Sequence, residues 1–135
     1  MLCLVNRVRE HSGRPPLRLN RALGHSAAGH SNDMVRHHHF SHSGSHGSTL
    51  LGRIGSTGYL AGAGFYFVGE NIGGGPGRRF GSAIQVFRAW MHSPPHRANI
   101  LDRRFRDAGV GVSRGFPYGG GSRAATYTLD LGVRR

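Results

Sequence analysis

The sequence predicts an α+β fold in which helices come first and paired strands come last. In the first half, apolar residues recur at helical spacing, beginning with Leu4, Val5 and Val8. Near the end, segments 108–112 and 125–131 alternate apolar and polar residues, and a glycine-rich turn separates them. Such a turn favours antiparallel pairing, so we expect a small antiparallel sheet covered by helices.

Capping residues and helix breakers mark the ends of the first two helices. The first helix begins near Met1, and Gly13 and Pro15-Pro16 end it. Asn20 is a good N-cap, because its side-chain oxygen can accept a hydrogen bond from the first helical turn. It precedes an amphipathic segment that predicts a second helix over roughly 21–37.

The middle of the chain predicts less regular structure. Segment 38–47 is small and polar, which is typical of a loop. A short helix is predicted over 48–54, and a brief extended segment over 65–68. The run 73–77, Gly-Gly-Gly-Pro-Gly, is predicted to have no regular structure, because glycine and proline interrupt helices and strands.

Two further helices are predicted in the second half. Ser93-Pro94 ends the first of them and begins a short helix that reaches about Leu101, with Ser93 as N-cap and proline at the first helical position. The helix that ends before Ser93 has the clearest helical spacing in the chain, at Ala83, Val86, Phe87, Trp90 and Met91.

Length and composition predict one domain, residues 1–135. No stretch of 18 apolar residues occurs, so no transmembrane helix is expected. Segment 1–5 is too short for the apolar core of a signal peptide, so the protein either stays inside the cell or has a trimmed or mis-assigned start. The single cysteine, Cys3, cannot form an internal disulfide, and its apolar neighbours favour a small buried residue.

The net charge is +12, and all 18 of the cationic residues are arginine. A functional interpretation is binding to an anion such as nucleic acid, anionic lipid or wall polymer. The alternative is a GC-rich coding bias, which favours arginine, glycine, histidine and proline. Most arginines are scattered, which favours the alternative, and the main clusters are 78–79 and 103–106.

Three motifs each carry one residue that could bind a metal or move a proton. They are Phe40-Ser41-His42, Gly69-Glu70-Asn71-Ile72 and the segment Ser93–Leu101, which contains His96. Glu70 is one of only two glutamates in the chain.

With these motifs in order, the chain resembles the CAP superfamily, also called the SCP-like domain, in its short bacterial form. Each motif is weakly specific by itself, but the ordered set is highly specific and covers essentially the whole chain. The matching segments are 4–9, 16–19, 27–34, Phe40–His42, Gly58-Tyr59, Gly69–Ile72, Trp90-Met91, Ser93–Leu101, 105–111 and 127–132.

The resemblance implies a three-layer α-β-α sandwich, an extracellular location, and a shallow cleft where two histidines meet acidic residues. His42, Glu70 and His96 match the cleft positions, and in some members the histidines bind a divalent metal. Many eukaryotic members have a second glutamate on the helix that here carries Trp90. That position is vacant here, and Pro95 replaces the usual glycine before the cleft histidine.

The residue types set what such a cleft could do. His42 and His96 are suitable ligands for a divalent metal such as zinc, and Glu70 could be a third ligand or a general base. Arg97 could stabilise developing negative charge. Alternatively, Glu70 and Asn71 tie the cleft loop to neighbouring backbone through hydrogen bonds. The alternative is that both histidines are structural and hydrogen-bonded. The HExxH motif of zinc proteases is absent.

The run His37-His38-His39 is a separate feature. Adjacent histidines at a helix end point in different directions, so they cannot all bind one ion. We interpret the run as a solvated helix terminus that binds metal opportunistically.

Three functions follow from these features. The first is a monomeric, non-enzymatic binding module with a metal-capable cleft and a lipid or cell-envelope ligand, as the family's lipid binding implies. The second is a metal-dependent hydrolase with Glu70 as catalytic base. The third is an arginine-rich protein that binds polyanions weakly.

Overall fold

A computed structural model describes residues 1–121 and 123–135. Within this part of the chain it contains six helices and four strands. In chain order these are α1 Leu2–His11, β1 Arg18–Leu19, α2 Arg21–Arg36, α3 Leu50–Ser56, β2 Tyr66–Gly75, α4 Gly77–Gly81, α5 Ala83–His92, α6 Pro94–Leu101, β3 Asp107–Arg114 and β4 Ala125–Arg134.

The four strands form one mixed sheet in the order β1-β3-β4-β2. The short β1 pairs parallel with β3, while β3 and β2 both pair antiparallel with β4. The predicted antiparallel pairing of β3 and β4 is therefore confirmed. The central strand β4 is buried on both faces: Leu129 and Leu131 have no exposed surface, and neither do Thr128 and Asp130 between them.

Helix α2 covers one face of the sheet. Two glycines of β3 permit its close approach, because a Cβ on Gly109 would overlap the backbone at Leu23 and one on Gly111 would overlap the backbone at Ala27. The Ser31 hydroxyl also donates to the Thr128 hydroxyl oxygen at 2.8 Å. A helix can lie this close to a sheet only where the facing residues lack side chains.

The other face carries the main hydrophobic core, to which α1, α5 and α6 contribute. Its fully or nearly fully buried members are Val5, Leu17, Val86, Trp90, Ile100, Phe105, Ala108, Tyr127, Leu129 and Leu131. Helices thus lie on both sides of the sheet, which confirms the three-layer α-β-α sandwich.

The predicted helices occur close to their expected positions. Asn20 caps α2, since its side-chain oxygen accepts from the Leu23 amide at 3.2 Å. The short helix α3 begins two residues later than predicted, because Thr49 caps it by accepting from the Gly52 amide at 3.1 Å. Helix α4 was not predicted.

The prediction for the glycine run was wrong: Gly73, Gly74 and Gly75 belong to β2 and pair with β4 along their full length. A Cβ on Gly73 would lie 2.6 Å from Val86, and one on Gly75 would lie 2.6 Å from the Cβ of Phe80. The glycines therefore permit close packing of this strand rather than breaking it.

The prediction for Cys3 was also wrong, since this residue is exposed. On α1 the fully buried residues are Val5 and Arg9, so position 3 lies on the outer face of the helix. Apolar neighbours in sequence do not share a helix face. Among the residues that the structure describes, no helix has the length and apolar character to span a bilayer.

Candidate functional site

Glu70 lies in the middle of β2 with its side chain almost completely buried. Its two carboxylate oxygens have different partners. Oε1 lies 2.7 Å from Nδ1 of His42, and Oε2 accepts from Nη2 of Arg53 at 2.7 Å. The side chains of Glu70 and Arg53 are 2% and 10% exposed, whereas that of His42 is 58% exposed. A buried carboxylate thus anchors one histidine that faces solvent.

These partners keep Glu70 ionised. Burial alone raises the pKa of the Glu70 carboxyl, but the hydrogen bond with His42 and the positive charge of Arg53 outweigh it. The pKa therefore lies below its usual value. His30 lies behind the carboxylate, with its Nε2 3.9 Å from Oε2 of Glu70.

His30 connects α2 to the loop that carries His42. Its ring is fully buried, and Nε2 lies 2.9 Å from the Ser41 carbonyl oxygen. Burial is the main reason that the pKa of His30 is lowered, and the Glu70 charge only partly offsets it. A neutral His30 donates from Nε2 to this carbonyl, which fixes the backbone next to His42.

Asp130 faces Glu70 from the neighbouring strand, as its register partner on β4. Burial raises the pKa of Asp130 to about 8, and the Glu70 charge adds to this rise. The nearby Ser26 hydroxyl acts in the opposite direction and lowers the pKa of Asp130. The Ser26 Oγ and the Asp130 carboxyl oxygens are nevertheless not placed to form a hydrogen bond. At neutral pH, Asp130 is therefore mostly protonated.

His96 enters the same region from the first turn of α6. Its Nδ1 lies 2.8 Å from the Ser93 hydroxyl oxygen. Ser93 occupies the predicted N-cap position, but its side chain contacts His96 instead of a backbone amide. Burial, followed by the neighbouring His42, lowers the pKa of His96 and favours the neutral imidazole.

Asn71 joins the start of α6 to β2. It is fully buried, and its Nδ2 donates to the His96 carbonyl oxygen at 3.0 Å. Asn99 lies on α6, one helical turn after His96. Its Nδ2 donates to Oδ1 of Asn71 at 2.9 Å and to the Glu70 carbonyl oxygen at 3.2 Å. The backbone of His96 is therefore held against the strand that carries Glu70.

The structure places Arg97 apart from this group. Its side chain is exposed and lines a separate recess with Met91, Pro94 and Leu101. The sequence-predicted residues His42, Glu70, Asn71 and His96 therefore converge, while Arg97 lies on the outer side of α6.

An apolar cavity of about 640 Å³ opens beside His96. Gly73 and Gly74 of β2 line it, and Trp90 is anchored there by donating from Nε1 to the Ile72 carbonyl oxygen at 2.8 Å. Trp90 belongs both to the core and to this cavity. The larger apolar lining residues are Phe40, Ile72, Phe80, Val86 and Trp90.

The histidine run lies at the end of α2, where two of its members meet one carboxylate. Nδ1 of His37 lies 2.9 Å from Oδ1 of Asp33, and Nε2 of His39 lies 3.4 Å from Oδ2. His38 turns away, with Nδ1 3.0 Å from the Pro117 carbonyl oxygen. His37 and His39 thus contact the same carboxylate while His38 points elsewhere, so the three rings do not share one site, as expected.

Within residues 1–121 and 123–135, no group of three histidine, cysteine or acidic side chains is arranged to hold a metal ion. The contacts of Glu70 explain this at the cleft, because both of its oxygens already have partners. The cleft therefore offers two imidazoles without a third ligating side chain.

Four features of this site were not predicted from the sequence: His30, Arg53, Ser93 as a histidine partner, and Asp130. The contact between Arg53 and Glu70 spans 17 positions in sequence, so no local pattern indicates it. Asp130 occupies a polar position in an alternating strand, which suggested that it faces solvent. Only the three-residue spacing of Ser93 and His96 on one helical turn could have been recognised.

The chain belongs to the CAP family, because the family model described as "Cysteine-rich secretory protein family" matches residues 2–128. It is 33% identical over 108 residues to a Bacillus subtilis (strain 168) protein described as uncharacterized protein YkwD. That match covers 80% of this chain and 39% of the relative.

Solved structures agree with this assignment. An extracellular protein containing a SCP domain from Bacillus anthracis str. Ames has 27% identity and a TM-score of 0.78, over 97% of this chain and 38% of that protein. An outer surface protein from Borrelia burgdorferi has a TM-score of 0.81 over 99% of this chain and 90% of that protein, but only 16% identity, so it supports the fold alone. The chain thus spans about two fifths of the two Bacillus proteins.

Proposed function

We propose that this CAP domain is an extracellular, non-enzymatic binding module that combines a two-histidine metal site with an apolar ligand groove. The histidines are His42 and His96, and the groove is the cavity beside His96. The observation that carries the proposal is that each histidine has its Nδ1 held by a side chain, the buried Glu70 for His42 and the Ser93 hydroxyl for His96. The ligand would be a lipid or another apolar component of the cell envelope.

The tethered Nδ1 atoms favour metal binding through Nε2. When Nδ1 of His42 donates to Glu70 and Nδ1 of His96 donates to Ser93, each Nε2 retains the lone pair that a metal requires. Neutral imidazole is the ligating form, and the lowered pKa of His96 favours it. Zinc accepts imidazole nitrogen, and water would complete its coordination. Two protein ligands predict weak binding.

The groove supports an apolar ligand because its floor and walls combine glycine backbone with aromatic and aliphatic side chains. Cavities of this volume are typical of small-molecule sites. No acidic residue occurs between positions 71 and 101, which supply most of the lining, whereas Arg88 and His92 do line it. An apolar chain with an anionic end would therefore suit both its surface and its charge.

The hydrolase alternative has less support. A general base works best with a pKa near the operating pH, whereas the pKa of Glu70 is lowered by His42 and Arg53 despite its burial. Its second oxygen is occupied by Arg53, and Arg97 faces another recess.

Isothermal calorimetry with zinc tests the metal site. We expect one binding event that disappears in the His42→Ala/His96→Ala variant and persists in the His37→Ala/His39→Ala variant. The second variant is the matched control, because it also removes two histidines but leaves both cleft histidines in place. If instead the second variant abolishes binding, the metal binds the histidine run and the cleft proposal is wrong.

Fluorescence of Trp90 tests the groove, since this is the only tryptophan in the chain and it lines the cavity. A fatty acid brominated along its chain should quench this emission on binding. The Phe80→Ser variant should weaken quenching, whereas Phe65→Ser should not, although the two residues are 56% and 54% exposed. Equal effects of both variants, or no quenching in the wild type, would contradict an apolar ligand.

A further inference from the structure

One end of the sheet gathers arginines that are far apart in sequence. Strands β1 and β3 begin there and β4 ends there, as shown by the pairing of Asp107 with both Arg18 and Gly132. We call this the arginine recess, formed by Arg18, Arg106, Arg134 and Arg135. All four side chains are exposed.

The arginine recess is concave. Two adjoining depressions, of about 540 and 420 Å³, are both lined by Arg18, Arg134 and Arg135, and Arg106 lines the second. The two depressions share Arg18, Asp107, Arg134 and Arg135, so they lie next to each other at this end of the sheet.

The charge of the arginine recess is strongly unbalanced. Among the described residues, Asp107 is the only acidic side chain that lines either depression. It is already engaged, since Oδ1 accepts from Nε of Arg18 at 3.2 Å and Oδ2 accepts from the Tyr59 hydroxyl at 2.9 Å. The main-chain oxygen of Arg135 is also occupied, by the amides of Gly64 and Phe65. The acidic side chain that lines the recess is thus already paired with Arg18, and the guanidinium groups of Arg106, Arg134 and Arg135 have no acidic side-chain partner among the described residues.

Two of the guanidinium groups are held in place by backbone carbonyls. Nη1 of Arg134 donates to the Ala61 carbonyl oxygen at 3.1 Å, and Nη1 of Arg106 donates to the Phe105 carbonyl oxygen at 3.0 Å. In the described part of the chain, their other guanidinium nitrogens make no hydrogen bond. Fixed guanidinium groups with free N–H donors lose less entropy on binding an oxyanion.

We propose that the arginine recess binds a linear phosphodiester polymer, with successive phosphates in its two depressions. Guanidinium groups bind phosphate through paired N–H donors, so the arginines of each depression supply donors for phosphate oxygens. A chain of phosphates can extend from one depression into its neighbour, whereas a flat bilayer would meet only the side chains that protrude around them. The polymer could be a single-stranded nucleic acid or a poly(glycerol phosphate), which share this chemistry. This proposal is independent of the cleft and the groove.

The test compares two variants of equal net charge, Arg18→Gln/Arg134→Gln and Arg7→Gln/Arg36→Gln. The second is the matched control, because Arg7 and Arg36 are exposed and lie outside the arginine recess. Fluorescence anisotropy with a labelled oligothymidylate and with labelled poly(glycerol phosphate) is measured over a series of salt concentrations, and thermal melting confirms that both variants are folded.

We expect the recess variant to bind roughly 10-fold or more weakly at low salt, with a slope of log K against log salt that is shallower by about 1 for each lost arginine. The control should retain the wild-type slope. Tighter binding of one polymer identifies the source of the phosphates. Equal weakening in both variants would overturn the proposal in favour of diffuse net charge. Binding to phosphatidylglycerol vesicles without binding to either polymer would also overturn it.

Discussion

Glu70 and Asp130 are register partners on neighbouring strands, and only one of the two carboxyl groups is mainly ionised at neutral pH. Burial acts on both groups in the same direction. Glu70 has two additional partners, His42 and Arg53, that outweigh burial. Asp130 does not, so burial and the Glu70 charge raise its pKa to about 8. The pair therefore holds one proton, which is on Asp130.

This proton makes the stability of the protein depend on pH. The folded pKa of Asp130 is about 8, whereas that of the unfolded chain is near ~3.9. The native state thus binds the proton more tightly, and this contribution to stability is fully present below the unfolded pKa and decreases as the pH rises towards 8. Asp130→Asn cannot titrate. We expect the free energy of unfolding of wild type relative to this variant to fall from pH 5 to pH 8.

Urea denaturation of both proteins at pH 5, 6.5 and 8 measures this difference, and other titrating groups largely cancel because both proteins contain them. A difference that stays constant across this range would show that Asp130 does not hold the proton.

Arg53 should be important for stability because it pairs with a buried carboxylate. Arg53→Met leaves Oε2 of Glu70 without a hydrogen bond, and breaking a buried pair in this way costs about 3–5 kcal/mol. Arg36→Met should change the free energy of unfolding by less than about 0.5 kcal/mol, because Arg36 is exposed. Chemical denaturation of the two variants checks this, and similar costs would argue against a dominant role for the Glu70 pair.

Ser93 should affect metal affinity without being a ligand. Removing an outer partner of a ligating histidine lowers affinity about 10–100-fold, so Ser93→Ala should weaken zinc binding in calorimetry by this factor. Ser82→Ala is the control, because Ser82 also precedes a helix and also makes no side-chain capping bond. This expectation depends on the proposed cleft site, and equal affinities in the two variants would mean that His96 does not bind the metal.

Adding one methyl group should have opposite effects on stability at Gly73, which is tightly packed in β2, and at Gly29, which has free space around it. Gly73→Ala places its Cβ 2.6 Å from Val86 and 2.7 Å from Nε1 of Trp90, and overpacking of this kind costs about 1–3 kcal/mol. Gly29→Ala meets no atom within 4 Å and lies inside α2, so it should stabilise by about 0.5–1 kcal/mol. Thermal melting should shift in opposite directions for these variants, and a stabilising Gly73→Ala would contradict the packing.

The helices could be predicted from sequence because their signals are local. The spacing from Ala83 to Met91 defines the buried face of α5, and the Asn20 cap fixes the start of α2. These signals depend on residues a few positions apart, which the helix itself brings together. The ordered motifs then identified the family. The family resemblance predicted the third layer of the sandwich, which the periodicity of the helices and strands alone did not predict.

The candidate site could be predicted only in part. Its three motifs contained His42, Glu70 and His96, and the fold brings them together. Arg53 and Asp130 were not found, because their contacts with Glu70 are set by the packing of α3 and β4 against β2. Asp130 was also not found because a polar residue in an alternating strand is expected to face solvent. Alternation implies a solvent-facing side only where one face of the sheet is uncovered.

The glycines at the base of the groove restrict how its size can change. Gly73 and Gly74 present only main-chain atoms to the cavity, so no substitution at these two positions can deepen it. At Gly73, any other residue would place a Cβ against Val86 and Trp90, which both line the cavity, and would reduce its space. Relatives that accommodate larger ligands would therefore have to vary the opposite wall, where Phe80 and Val86 still have side chains that can be shortened.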